Sequence, residues 1–201
     1  MANTDAPIGL RPVRYASGAP YNGAANKYYI PSTDTTNVFI GDPVRLAGSG
    51  DTLANYATVA LTTPSTASTG KSIGVVVGFD PVEGVTTPNL NGSYRAASTA
   101  MYAWVADDPD LIFEAQEDSV GNNLSAADIG NNVNFTSATS GSTTFGLSGV
   151  EIDSSSKATT AKQLKLVGLV NRPGNDLGSN ANWLVMFNSL AGHLAYSTTG
   201  V

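Results

Sequence analysis

The chain has no cysteine and a single histidine, His193, in 201 residues. Without cysteine there is no disulfide, no thiolate nucleophile and no sulfur-ligated metal site. A Ser-His-Asp arrangement would have to use His193. Gly141-Ser142 and Gly178-Ser179 lack the glycines two residues either side of serine that a nucleophile elbow needs. Charge is also scarce. Only 13% of the residues are charged, about half the usual share. The net charge of −6 speaks against nucleic acid as a partner, because phosphate binding requires neutralisation by Lys and Arg. Long apolar runs are missing: residues 73–79 and 183–187 fall far short of the ~20 needed to span a bilayer as a helix. The first residues, Met1-Ala2-Asn3-Thr4-Asp5, have neither the basic start nor the apolar stretch of a secretory signal. Synthesis and folding in a cytoplasm are therefore expected. No stretch of helical length keeps a 3.6-residue period with caps at both ends.

What is present is Ser, Thr, Asn and Gly, with Tyr, Phe and Trp spread along the length. Disordered chains are typically charged and poor in aromatics, so a folded domain is expected. The pattern is short strand, turn, short strand. Apolar pieces at 38–40 and 44–46 are split by Gly41-Asp42-Pro43, a turn signal. Residues 57–61 read as a strand. Residues 73–79 form the best strand of the chain, closed by Asp80-Pro81, and their two glycines suggest a bulge or a close backbone approach. Strands are also predicted within 94–105, over 111–115, from 149, over 163–170 and over 183–188. Residues 124–129 suit a single helical turn, with Ser125 as N-cap and Gly130 past its end. Long loops are expected at 80–93, 131–148 and 171–182. No internal repeat at a fixed period is evident. The class is all-β, of sandwich or barrel type.

Residues 1–37 read differently from the rest. Pro7, Pro12, Pro20 and Pro31 exclude helix interiors and central strands, which predicts an extended N-terminal arm ahead of a β-rich domain at 38–201. The arm carries many aromatics, so it should lie on a surface, either its own domain or a neighbouring subunit. Tyr and Arg are enriched at binding hot spots. Arg11, Arg14, Tyr15, Tyr21, Tyr28 and Tyr29 are accordingly the candidate interface residues.

The one concentration of potential ligands is acidic: Asp107, Asp108, Asp110, Glu114, Glu117 and Asp118. Oxygen-rich loops bind Ca²⁺, which makes Asp107, Asp108 and Asp110 a weak calcium candidate. The spacing is not that of an EF-hand, and a solvated turn with strand-flanking acids is the favoured reading. No cofactor and no catalytic residue is assigned, and the chain is expected not to be an enzyme. Tyr102, Trp104 and Trp183 are the residues from which a sugar platform would be built, against the alternative of buried core aromatics.

Several segments resemble proteins that decorate the heads of tailed bacteriophages. The opening Asp5-Ala6-Pro7-Ile8-Gly9-Leu10-Arg11-Pro12-Val13-Arg14-Tyr15, followed by Gly18-Ala19-Pro20-Tyr21-Asn22-Gly23, looks like the start of such proteins. Ile40-Gly41-Asp42-Pro43-Val44 followed by Ile73-Gly74-Val75-Val76 is similar to their β-barrel strands. The match covers about the first 80 residues. It implies a small barrel, β-tulip or jelly-roll-like domain that acts as a capsid cement protein. The implied partners are the major capsid protein and further copies of the chain, as a homotrimer or homodimer, on the exterior of the virion. Membrane and nucleic acid are not implied partners. A tail tube or other virion structural protein is the main alternative, followed by a carbohydrate-binding or adhesin module.

Overall fold

The computed structural model describes residues 3–52, 55–64, 71–82, 92–136 and 141–188. His193 lies outside them. The structure is all-β, as its composition and turn spacing predict. The strands are β1 (Arg11–Tyr15), β2 (Asn26–Ile30), β3 (Val38–Phe39), β4 (Pro43–Gly50), β5 (Ala57–Leu61), β6 (Gly74–Pro81), β7 (Tyr94–Arg95), β8 (Met101–Ala106), β9 (Leu111–Gln116), β10 (Asn132–Phe135), β11 (Ile152–Ala158), β12 (Leu164–Leu169) and β13 (Asn182–Phe187). The expected helical turn is a 3₁₀ turn, Ala126–Asp128. Ser125 and Asp128 form a capping box there.

Five strands pair in a closed ring, β2-β5-β4-β6-β8. Its last link is a single parallel pair, Tyr29 with Thr58. A six-stranded sheet, β1-β9-β13-β12-β10-β11, forms the second half. This sheet also curls back on itself. Glu117, one residue past β9, makes a parallel bridge to Ile152 at the start of β11, and the Asp118 amide donates to the Ile152 carbonyl at 3.0 Å. Inward-facing side chains of both halves merge in one core that includes Ile30, Val44, Val76, Val105, Phe113, Phe135, Ile152, Trp183 and Val185.

The second ring repeats the first. In each, the first strand pairs with the fifth, the fifth with the fourth, the fourth with the second, the second with the third, and the third runs parallel to the first. The correspondence extends to single residues. Val44 opposes Gly74, and Val133 opposes Leu164. Leu46 opposes Val59, and Phe135 opposes Ile152. The fourth strand shifts register in both rings, between Val76 and Gly78 and between Leu166 and Gly168. Ahead of the second strand each ring has the same corner, Ile40-Gly41-Asp42-Pro43-Val44 in one and Ile129-Gly130-Asn131-Asn132-Val133 in the other. Both corner glycines have positive φ, 96° and 89°, which only glycine adopts without strain. The Gly41 amide donates to Val76 and the Val76 amide to Asp42. Gly130, Leu166 and Asn131 make the matching pair of bonds.

Three expectations need correction. Residues 1–37 are largely extended and lie on the chain's own sheets, one of the two surfaces expected for them, but no boundary falls at 37: β1 pairs with β9 and β2 is a stave of the first ring. The predicted loop at 131–148 contains β10, in which Val133 and Phe135 are buried; its asparagines concealed it. The predicted strand within 94–105 is two strands, broken by a turn where Ser98 has φ 57°.

Arg95 holds that turn together. Its side chain is fully buried. Nε donates to the Thr99 carbonyl at 2.7 Å, Nη1 to Thr36 at 2.5 Å, and Nη2 to Pro31 at 2.7 Å and Asp34 at 2.8 Å. The Asp34 carboxylate lies 3.5 Å from Nη1. One planar guanidinium thus satisfies four carbonyls that a buried loop would otherwise leave unpaired.

Candidate interaction surface

Alternation along β2 and β8 decides which side chains face out. Tyr28, Ile30, Met101, Ala103 and Val105 point into the first ring and are buried. Lys27, Tyr29, Tyr102 and Trp104 point outward and are partly exposed. The antiparallel register sets Lys27 opposite Trp104 and Tyr29 opposite Tyr102. On the other flank, β6 sets Gly78 opposite Trp104 and Asp80 opposite Tyr102. A Cβ on Gly78 would lie 3.8 Å from Trp104 Cδ1, in ordinary contact, so the indole packs directly over this strand.

The result is a cluster of four aromatic side chains. Tyr29 and Tyr102 have ring centroids 5.8 Å apart, and Tyr56 meets Tyr102 edge-on at 5.2 Å. Lys27 Nζ lies 4.8 Å from the Trp104 centroid and 5.2 Å from that of Tyr102, within cation–π range. The same ammonium is 2.9 Å from Asp80 Oδ2, which also accepts the Trp104 indole N–H at 2.9 Å. The hydrogen bond from Lys27, with a smaller contribution from Trp104, holds the Asp80 carboxyl below its ordinary pKa. Aromatic bodies with fixed polar handles suit a desolvating contact with a partner and lose little side-chain entropy on binding.

Of the residues predicted for an interface, only Tyr29 joins this cluster. Arg11 is exposed, and Arg14 and Tyr15 are partly buried on β1. Arg11 and Tyr21 line a cavity of about 370 Å³ between the two halves, with Leu10, Ile40, Val77 and Leu147. The Tyr21 hydroxyl donates to the Ala24 carbonyl at 2.9 Å. Tyr28 is unavailable to a partner. It is 4% exposed, and its hydroxyl donates to Asp107 at 2.6 Å. Burial, then the bond to Asp107, pushes its pKa up.

The acidic stretch is structural. Asp107 is buried and also accepts both contacts of the Asn26 amide, at 3.0 and 3.1 Å. Asp108 accepts the Asp110 amide at 2.8 Å in a turn. Glu114 pairs with Arg172. Asp118 accepts the amide and hydroxyl of Ser154. Among the described residues no three His, Cys, Asp or Glu side chains are gathered around one point, and Asp107 is taken up by Tyr28 and Asn26.

Sequence reading paired Tyr102 and Trp104 with Trp183. The structure separates them, since Trp183 is fully buried in the second ring. It also missed Tyr56, Lys27 and Asp80. Strand alternation marks Tyr102 and Trp104 as sharing a face, but nothing local brings Tyr56 or Asp80 beside them. No protein-family model, no curated protein and no solved structure matches this chain.

Proposed function

We propose that the chain is a non-catalytic structural protein of a tailed-phage virion, decorating the head exterior by binding the lattice of major capsid protein. The observation that carries this reading is the aromatic cluster Tyr29, Tyr56, Tyr102 and Trp104, set on a closed ring of strands and locked by Lys27 and Asp80. The resemblance of the first 80 residues to head-decoration proteins agrees with it. A rigid aromatic face gives each copy a modest contact, and a lattice multiplies modest contacts into a stable coat.

The test is cosedimentation of the purified protein with empty heads of the cognate phage. The wild type should saturate the shell. A double variant, Tyr102→Ala with Trp104→Ala, should lose at least tenfold in affinity, in keeping with hot spots worth about 2 kcal/mol or more each. Equal binding by the double variant would sink the assignment of the face. Absence of wild-type binding would sink the virion reading itself.

A carbohydrate-binding role is the second reading, because Tyr102 and Trp104 share one partly exposed face. Lys27 lies over both rings, so a sugar would have to displace it. Glycan-array binding that disappears in the double variant would favour this reading over the first.

A further inference from the structure

The two rings share a corner but treat it differently. In the first ring the corner Ile40-Gly41 is roofed. The Leu10 amide donates to the Gly41 carbonyl at 2.9 Å, the Ile40 amide to Gly146 at 2.9 Å, and the Ser148 amide to Ile40 at 2.8 Å. The roof is so close that a Cβ on Gly41 would fall 2.6 Å from the Ile8 carbonyl oxygen. A Cβ on Gly9 would fall 2.6 Å from the Gly41 carbonyl oxygen. Two glycines thus let two backbones touch, with Ile8 and Leu10 on either side of the contact.

Among the described residues nothing roofs the same corner of the second ring. Ile129 is 48% exposed beside the turn, whereas its counterpart Ile40 is partly buried. Among the described residues nothing lies within 4 Å of where a Cβ on Gly130 would sit. Among the described residues no backbone amide donates to the Gly130 carbonyl. The bulge residue Val167, like its counterpart Val77 in the roofed corner, is partly exposed.

We propose that the corner Ile129-Gly130, with Val167, is a docking site for an extended segment of a partner protein in which a glycine is flanked by branched apolar residues. The occupant's chemistry is read from the chain itself: Pro7-Ile8-Gly9-Leu10 sits on the equivalent surface. A second copy of the chain is not the natural donor, because its own Ile8–Leu10 stretch is already engaged. Flanking anchors hold it in place. Asn3 bonds Asp176 and Ser179, Gln116 bonds Thr4 and Ala6, and β1 pairs with β9. Backbone hydrogen bonds would supply affinity and the Ile129 and Val167 side chains specificity, as in strand addition to an exposed edge. The site is separate from the aromatic cluster and does not depend on the virion reading.

The probe is a fluorescently labelled peptide with the sequence of residues 6–14, titrated against the intact protein and followed by anisotropy. Saturable binding to the wild type is expected. Ile129→Asp should weaken it at least tenfold, and Ile129→Ser should weaken it less. Both changes are on an exposed side chain, and unchanged thermal melts would show that the fold is kept. Failure of the wild type to bind would overturn the proposal. So would equal binding by Ile129→Asp, since the peptide would then be seated elsewhere, for example at the Gly41 corner in place of the chain's own segment.

Discussion

At the scale of single residues, polar side chains buried in this protein act as fasteners for loops that the strands alone would leave loose. Arg95 is the strongest case. Lysine at this position would keep the charge but lose the planar fork that reaches Pro31, Asp34, Thr36 and Thr99 together. At least two charge-assisted bonds of about 1.5–3 kcal/mol each would go. Arg95→Lys is therefore expected to destabilise the fold by on the order of 3 kcal/mol, read as a lower urea midpoint at unchanged slope. An unchanged midpoint would mean that the loop is held by something else. Tyr28 teaches the complementary lesson. Its neighbour Tyr29 has the same chemistry in the same strand, yet one faces the core and the other the outer face. Residue type made both candidates; only the phase of the strand separates them, and a one-residue change of phase reverses every assignment.

At the scale of elements, much was legible. The Gly41-Asp42-Pro43 turn, the apolar run ending at Asp80-Pro81, the strands near 111–115 and 163–170 and the 3₁₀ turn all follow from local chemistry. β10 was not legible, because Asn-Val-Asn-Phe looks like loop until two neighbouring strands cover it. Nor did the sequence reveal that one buried and one partly buried carboxyl sit at the junctions of these elements. Asp42, in the first corner, is fully buried, and burial pushes its pKa up to about 7 against the bonds from Ser148 and Phe39. Glu151, just ahead of β11, is pushed to about 7 by burial, then by the charges of Asp5 and Asp118. Both folded pKa values lie above the unfolded ones, so the folded state binds more protons between about pH 4 and 7. Stability should fall as pH rises through that window. Asp80 and Asp128 shift the other way, and their contribution is lost only as pH drops through the ordinary carboxylate range. The melting temperature should thus peak in mildly acidic buffer and be several degrees lower at pH 8. Asp42→Asn should flatten the slope between pH 5 and 8. A melting temperature that rises steadily from pH 5 to 8 would contradict both assignments.

At the scale of the whole molecule, the chain is one five-stranded ring built twice and bound by its N-terminal segment. The repeat escaped sequence reading because its identities are few. The corner glycine and its preceding isoleucine recur after 89 residues, with a valine three residues beyond the glycine. The facing strands keep geometry rather than residue type, so Trp104 corresponds to Leu184 and Lys27 to Glu114. The segment expected to be a separable arm is the part that joins the halves, which changes what its removal should do. Deleting residues 1–7 removes the contacts of Asn3, Thr4 and Ala6 with the second ring, and a small loss of stability is expected. Deleting residues 1–30 also removes β2, which supplies Tyr28 and Ile30 to the core and occupies the place between β8 and β5. The first ring then has an open side along Met101, Ala103 and Thr58, and its loss of cooperative structure is expected. Hydrogen exchange would show this as loss of slow amides across β4, β5, β6 and β8 in the longer deletion, with the shorter one close to native. If the longer deletion kept native protection through β8, the N-terminal segment would be an accessory arm after all, and the ring would not need its first strand.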